Sequence, residues 1–327
     1  MARLNKKDKN WLKDKFGANA NFNPTERLMY SHDIAAIPGL FKPLIGKTTP
    51  DAVVQPENEE QLAELVGWAA RKKIPLVPRG KGSSGYGGII PTRKGIVVDF
   101  YKMKDVLSID AEKDTVTVQP GITWEQLDKK LKPAGLVIRL YPTSYPSSSA
   151  GGWLAQGGAG IGSYEYGWFS ENVESARIVL PSGEIKEISG KELDLVADAE
   201  GTTGMISQMT IKVQKWTGLG VAAIACPDAD KLEKIFQKFI DQDLPIWSLV
   251  FINPRMAEMK NRSPVMTHQG HPVEHKVILP AAYIATIAFR EKDRDKVAPK
   301  LPEIVKACEE RYSSRRLRIM NGNKDSN

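Results

Sequence analysis

A glycine-rich segment at residues 78–88, PRGKGSSGYGG, constrains the fold of this chain more than any other feature. It lies between two short apolar runs, IPLVP and GIVVDF, which are typical of buried strands. Gly80, Gly82 and Gly85 have the spacing of a dinucleotide fingerprint, but that fingerprint must open a helix, and residues 89–95 leave no room for one. The segment therefore predicts either a long surface hairpin loop or a loop whose backbone amides converge on an anion without a helix.

The regions on either side of this loop predict a mixed α+β fold. Residues 56–72 predict a helix, because acidic residues crowd the first turn, basic residues crowd the last, and apolar residues recur at helical spacing. Thr123 and Gln126 form a capping-box pattern at the start of a second helix. Alternating β-branched runs predict two hairpins, VLSID with TVTVQ and VESARIVL with EIKEI.

A second pattern begins near Trp216 and consists of a strand, a helix, a strand, an irregular stretch, a strand and a helix, the last predicted over residues 293–311. Such a restart is typical of a second α+β domain. We therefore predict an N-terminal segment at residues 1–48, one domain at residues 49–216 and another at residues 217–327.

Two further glycine-containing tracts accompany the first. Residues 141–167 include Gly151-Gly152 and the run from Gly157 to Gly160, and AEGTTGMI at residues 199–206 places two glycines around a threonine pair. A residue without a Cβ lets the backbone approach a flat ligand closely. Three such tracts on one β-rich scaffold indicate a large phosphorylated cofactor, whose identity the residues alone leave open.

Composition excludes several classes of protein. The two cysteines, Cys226 and Cys308, are too few to ligate an iron–sulfur cluster or a structural zinc ion. The net charge of +7 suits an anionic ligand or an acidic partner but is too diffuse to indicate nucleic acid. The N-terminus lacks the apolar run of a secretory signal, and no stretch reaches the roughly 18 apolar residues of a membrane span. We expect a cytoplasmic globular protein.

Three of the four histidines, His268, His271 and His275, lie in the segment THQGHPVEH. HPVEH matches the H-x-x-E-H spacing of a zinc peptidase helix, but Pro272 is tolerated only in the first turn of a helix. A polar loop is therefore favoured over a metal site. The basic run at residues 311–318 predicts a solvated tail, with a surface for an acidic partner as the alternative.

The order of these motifs resembles the FAD-binding domain of the vanillyl-alcohol oxidase / p-cresol methylhydroxylase (PCMH) superfamily. The resemblance runs from about Arg27 to about Trp216 and includes DAVVQP, PRGKGSSGYGG, GIVVDF, TVTVQPGITWEQL, SAGGWLAQGGAG and AEGTTGMI. Within the superfamily, the chain is most similar to the glycolate oxidase and D-lactate dehydrogenase branch. The resemblance implies a PCMH-type FAD-binding domain of two α+β subdomains, followed by a shortened ferredoxin-like cap domain.

The resemblance also implies which residues contact FAD. The first loop corresponds to amides that bind the pyrophosphate, the second tract to a wall along the flavin and diphosphate, and the third to a turn beside the isoalloxazine or ribityl chain. The implied contacts are Arg79, Gly80, Lys81, Gly82, Ser83, Ser84, Pro142, Ser149, Ala150, Gly151, Gly152, Gly158, Gly160, Ser163, Tyr166, Glu200, Gly201, Gly204, Met205 and Ile206. Because Ser83 stands where some members carry a histidine bonded to the flavin, the FAD is expected to be non-covalent.

The function implied by the resemblance is an FAD-dependent oxidoreductase that dehydrogenates a small 2-hydroxy acid and passes electrons to an iron–sulfur or other electron-transfer protein. An alternative is an FAD-carrying electron-transfer subunit whose substrate site other chains complete. A third hypothesis is a nucleotide-binding module without a redox role. The reaction needs a cation for the carboxylate and a base for the hydroxyl proton, for which Arg255 and His271 are the candidates.

Overall fold

The computed structural model describes residues 4–35, 40, 43, 46–263, 267–268, 271–272, 278–309 and 318–321. Its helices are α1 (Lys6–Phe16), α2 (Pro24–Met29), α3 (Glu59–Lys72), α4 (Trp124–Leu131), α5 (Ala150–Gln156), α6 (Ser163–Tyr166), α7 (Ala229–Asp241), α8 (Pro254–Arg262), α9 (Arg294–Val297) and α10 (Lys300–Glu309). Its strands are β1 (Ala20–Asn21), β2 (Ala52–Val54), β3 (Leu76–Arg79), β4 (Ile96–Asp99), β5 (Val106–Asp110), β6 (Thr115–Val118), β7 (Leu136–Ile138), β8 (Val173–Val179), β9 (Ile185–Ser189), β10 (Met205–Lys215), β11 (Leu219–Cys226), β12 (Ser248–Ile252), β13 (Thr267–His268), β14 (His271–Pro272), β15 (Tyr283–Arg290) and β16 (Arg318–Asn321). The chain divides into two compact units, Met1–Gly160 with Gly167–Trp216, and Ile161–Tyr166 with Thr217–Asn327.

The first sheet of the first unit carries the glycine-rich loop. Its strand order is β1-β2-β4-β3, in which β2 and β3 run parallel to β4. Every residue of β4 is buried, as expected of a central parallel strand, and α3 buries Leu62, Leu65 and Ala69 in one core with Val54 and Val98 of the sheet. Each fully buried leucine of this kind contributes roughly 1.5–3 kcal/mol. The β3–β4 connection contains no helix, as the sequence predicts.

The N-terminal helix α1 belongs to the same core. Asn5 and Asp8 form the capping box that starts it, and Leu12 is fully buried. The Trp11 indole stacks on that of Trp68 in α3, with ring centroids 4.2 Å apart. These contacts attach α1 to the first sheet through α3.

The second sheet of the first unit is antiparallel. Its order is β5-β6-β10-β8-β9, and β7 also pairs with β10. The β5–β6 and β8–β9 pairs confirm the two predicted hairpins, and the capping box of Thr123 and Gln126 starts α4 as predicted. Buried residues alternate with half-buried ones along most of β10, which is typical of a strand with one face in the core.

The second unit has the ferredoxin-like arrangement that the family resemblance implies. Its sheet order is β12-β15-β11-β16, with α7 between β11 and β12 and α10 between β15 and β16. Ile224 and Ile287 of the sheet share a core with Phe239 of α7 and Leu301 of α10. In this unit the Arg290 guanidinium also forms an ion pair with Glu165 of α6, at an N–O distance of 2.7 Å.

Three segments differ from the predicted elements. The tract at residues 141–167, for which the sequence predicts no single ordinary helix, contains the two short helices α5 and α6. The helix predicted over residues 293–311 is divided into α9 and α10, because Pro299 has no N–H to continue the ladder. β16 begins at Arg318, the last residue of the basic run for which a solvated tail is predicted, and it pairs with β11. The rest of the basic run, at residues 311–317, lies outside the described residues.

Within the described ranges, no helix combines the length and the apolarity that crossing a bilayer requires.

Candidate functional site

One cavity in the first unit brings the three glycine-rich tracts together. Its volume is about 950 Å³, including the part open to solvent. Its walls come from the β3–β4 loop, from the first turns of α5 and from the turn before β10. The lining residues are Pro78, Arg79, Gly80, Lys81, Gly82, Ser83, Ser84, Gly88, Ile89, Phe100, Pro120, Ser144, Ser148, Ser149, Gly151, Gly152, Trp153, Ala155, Gln156, Val196, Glu200, Gly201, Gly204, Met205 and Ile206.

The tracts pack directly on one another at several of their glycines. A Cβ on Gly80 would overlap the Ser149 hydroxyl, so the first loop touches the start of α5. Gly201 has φ +74°, and a Cβ there would overlap the Pro78 ring, so the third tract touches the end of β3. These glycines are needed for contact between the walls, in addition to the ligand approach that the sequence suggests.

Arg79, at the start of the loop, is engaged by other parts of the protein. Its Nη1 donates to the His32 carbonyl at 2.8 Å, and its guanidinium lies 5.1 Å from the centroid of the Tyr30 ring. The Tyr30 hydroxyl donates to Asp99 Oδ2 at 2.9 Å. Burial lowers the pKa of Arg79, and the charge of Asp99 opposes that shift. Burial and the same carboxylate raise the pKa of Tyr30.

Lys81 supplies a second positive charge to the cavity wall. Its ammonium lies 4.6 Å from the centroid of the Tyr101 ring, and that of Lys104 lies 4.2 Å from the same centroid. Two ammonium groups beside one aromatic ring concentrate positive charge near the loop. The electrostatics of this wall therefore favour an anionic ligand.

Most of the residues implied as FAD contacts line this cavity. They are Arg79, Gly80, Lys81, Gly82, Ser83, Ser84, Ser149, Gly151, Gly152, Glu200, Gly201, Gly204, Met205 and Ile206. They come from all three tracts, so the fold brings together residues that are more than 100 positions apart in the chain. This convergence is the geometric requirement for one extended ligand.

The other implied contacts lie outside the cavity wall: Pro142, Ala150, Gly158, Gly160, Ser163 and Tyr166. Pro142 and Ala150 are buried in the interior. Gly158 and Gly160 lie against the Trp153 indole, which itself lines the cavity. Ser163 and Tyr166 form α6 in the second unit, where the Tyr166 hydroxyl accepts a hydrogen bond from Arg290.

Several cavity residues were not identified from the sequence. Ser144 and Ser148 bring hydroxyls to the wall, and the dense run PTSYPSSS is a signal that could have found them. Phe100, Trp153 and Val196 give the cavity apolar surface. In the sequence they are indistinguishable from core residues, because only the tertiary fold determines which apolar side chains face a cavity.

The candidates for the reaction, Arg255 and the histidines of THQGHPVEH, belong to the second unit. Arg255 is exposed in the first turn of α8, which Asn253 caps. His268 and His271 lie opposite each other in the β13–β14 pair, so the backbone of His271 and Pro272 is extended and does not begin the helix of a zinc peptidase. His275 lies outside the described residues. Among the residues that are described, no group of His, Cys, Asp and Glu could hold a metal ion.

The donor set of the cavity fits FAD. Glycine amides, serine hydroxyls and the cation of Lys81 suit a diphosphate, which accepts hydrogen bonds and carries negative charge. Phe100, Trp153 and Ile206 offer apolar surface to a flat ring. The lining residues include no histidine, cysteine or tyrosine, whose nucleophilic side chains can bond a flavin covalently.

Comparisons with known proteins agree with this fit. Residues 50–189 match the FAD binding domain family, which confirms the resemblance drawn from the glycine-rich motifs. The chain is 31% identical over 196 residues to glycolate oxidase subunit GlcD of Bacillus subtilis, covering 57% of this chain and 40% of that protein. It is 33% identical over 184 residues to the mitochondrial D-lactate dehydrogenase [cytochrome] of Arabidopsis thaliana, covering 54% and 32%. The matches thus span less than half of these relatives.

A solved structure shows the same fold. Alkyldihydroxyacetonephosphate synthase superposes with a TM-score of 0.77 over 94% of this chain and 59% of that chain, at 20% sequence identity. A synthase of the same name from Dictyostelium discoideum is 31% identical over 177 residues, covering 51% of this chain and 29% of that protein. The fold is therefore shared by proteins whose names describe different reactions.

Proposed function

We propose, from the premise that residues 50–189 are an FAD-binding domain, that this chain dehydrogenates a small 2-hydroxy acid of the lactate or glycolate type and passes the electrons to a partner protein. The observation that carries the proposal is the single cavity lined by all three glycine-rich tracts. The choice of substrate class rests on the names of two relatives, a glycolate oxidase subunit and a D-lactate dehydrogenase. When bound, FAD supplies the acceptor for the hydride that leaves the carbinol carbon.

The chain's own residues have separate parts in this proposal. The backbone amides of residues 80–84 would bind the diphosphate, and the hydroxyls of Ser148 and Ser149 would donate hydrogen bonds to it. The turn at residues 200–206 contacts the flavin or its ribityl chain. The candidates for the reaction itself are Arg255, as the cation for the substrate carboxylate, and His271, as the base for the hydroxyl proton.

The alternative is that the chain carries FAD within a larger assembly, in which other chains complete the substrate site. The observation favouring it is that the glycolate oxidase relative is named as a subunit. An iron–sulfur or other electron-transfer protein is the proposed partner in either case, because the chain's two cysteines cannot hold a cluster. The cytoplasmic location expected from the sequence stays a prediction.

Anaerobic addition of D-lactate or glycolate to the purified, FAD-loaded chain separates these functions. Bleaching of the flavin absorbance by the chain alone supports the dehydrogenase. Bleaching of the flavin absorbance only after a copurifying protein is added back supports the alternative, in which the chain is an FAD-carrying subunit. A purified chain that retains no FAD when FAD is supplied would contradict both functions.

A further inference from the structure

The segment Tyr30–Asp33, which we call the clamp, contacts the glycine-rich loop near both of its ends. At the start of the loop, the Arg79 guanidinium donates to the His32 carbonyl and lies over the Tyr30 ring. Near its end, Asp33 Oδ2 accepts a hydrogen bond from the Gly87 amide at 2.8 Å. The loop itself forms neither helix nor strand between Gly80 and Gly95, so these contacts supply order that secondary structure does not.

The clamp is itself fixed in place. Asp33 is only 6% exposed, and its second oxygen accepts from the Ala35 amide at 2.7 Å. The Tyr30 hydroxyl donates to Asp99 at the end of β4, and Gln55 donates to the same carboxylate at 2.7 Å. A buried carboxylate that accepts several hydrogen bonds is a rigid anchor, because each bond would be costly to break.

Arg79 connects the clamp to the inside of the loop. A Cβ built on Gly82 would lie 2.6 Å from Arg79 Nη2, so the guanidinium lies directly against the backbone of the loop. Asp99 and Asp33 are close enough to affect the guanidinium electrostatically, so part of its charge is matched within the protein. Through its contacts with Tyr30, His32 and Gly82, the Arg79 guanidinium holds the backbone of the loop against the clamp.

We infer that the clamp sets the conformation in which the loop amides bind the FAD diphosphate, and that Arg79 is a positioning residue of this device. The inference rests on the proposed FAD site. The apparent affinity of a ligand that needs one conformation of a loop falls in proportion to the fraction of molecules that have that conformation. Loosening the clamp should therefore weaken FAD binding without removing any group that touches FAD.

The test measures FAD affinity and tryptic cleavage after Lys81 in the apoprotein of Asp33→Ala. We expect FAD to bind at least about tenfold more weakly, as it would if only a tenth of the loops stayed competent. We also expect faster cleavage after Lys81, because an ordered loop resists proteolysis. The matched control is Asp8→Ala, which removes another buried carboxylate of the same unit, one that caps α1 far from the loop in sequence. Asp8→Ala should lower the melting temperature and leave both the FAD affinity and the rate of cleavage after Lys81 unchanged.

A second variant tests the role of Arg79. Arg79→Lys keeps the positive charge but loses the planar group that packs against Gly82, so a positioning role predicts weaker FAD binding and faster cleavage. Normal FAD affinity in Arg79→Lys, with a loss in Arg79→Gln, would show that the charge itself binds the phosphate and would overturn the inference. Faster cleavage with unchanged affinity in Asp33→Ala would overturn it too. A wild-type chain that binds no FAD refutes the proposed function instead, and the clamp is then judged by cleavage alone.

Discussion

Replacing Gly201 by alanine tests how the third tract contacts the end of β3. Two costs are expected to add. The residue has φ +74°, and an L-residue in that region costs roughly 1–2 kcal/mol. The new Cβ would also overlap Pro78 Cγ, and such overpacking costs typically about 1–3 kcal/mol. Gly201→Ala should therefore lower the free energy of unfolding of the first unit by about 2–5 kcal/mol.

The two costs can be separated with variants of the same unit. Gly135 has φ +67° with nothing within 4 Å of a built Cβ, so Gly135→Ala should show only the conformational cost of roughly 1–2 kcal/mol. Pro78→Ala removes Cγ and leaves the Pro78 Cβ position at 3.4 Å, an ordinary contact. The edge position of β3 is what allows a proline in this strand, and alanine can adopt the same extended backbone. Adding Pro78→Ala to Gly201→Ala should recover the overpacking part of the loss.

The assay is urea unfolding of the apoprotein followed by tryptophan fluorescence. It reports mainly on the first unit, which contains Trp11, Trp68, Trp124, Trp153, Trp168 and Trp216. The double-mutant cycle should give a coupling of about 1–3 kcal/mol. If Gly201→Ala loses no more stability than Gly135→Ala, or if Pro78→Ala recovers nothing, the two tracts do not pack as described.

Three further predictions concern pH, cofactor attachment and the loop. Burial alone would raise the pKa of Glu59, but hydrogen bonds from Arg177 and Ser207 lower this pKa below its ordinary value of 4.5. The Glu59 carboxylate therefore stabilises the folded state above pH 4.5, and this stabilisation is lost as the pH falls through the folded-state pKa. Glu59→Gln should therefore lower the urea midpoint at pH 7 but not at strongly acidic pH, whereas Glu125→Gln, in an exposed pair with Lys129, should change little at either pH. Acid precipitation should release all of the flavin into the supernatant, and colour retained in the pellet would contradict non-covalent binding. Gly82→Val should abolish FAD retention, because it forces a β-branched residue to φ +66° and displaces Arg79; normal FAD occupancy would count against the loop assignment.

The parts of the fold that the sequence predicts are those with local signals. The strands on either side of the loop are bounded by glycine and proline, and the start of α4 is marked by a capping box within four residues. The stacking of Trp11 on Trp68 has no such signal, because it joins residues 57 positions apart. α5 was missed because Gly151 and Gly152 in its first turn are typical of a loop.

The residues of the candidate site also differ in whether the sequence predicts them. Glycines and charged residues of the three tracts are visible in the sequence, because their backbone freedom and charge are unusual for a core. Phe100 and Val196 line the same cavity but have no property that distinguishes them from buried residues. The contact of Asp33 with Gly87 is equally hidden, since it joins distant positions through one carboxylate and one amide.

The central claim is that the loop after Pro78 binds the diphosphate of FAD. It is tested most directly by titrating the apoprotein with FAD, with riboflavin, and with FAD in the presence of ADP or of adenosine. The account predicts one FAD per chain, much weaker binding of riboflavin, and competition by ADP but not by adenosine at the same concentration, because the diphosphate contributes most of the recognition. Riboflavin binding as tightly as FAD, with no competition by ADP, would contradict it.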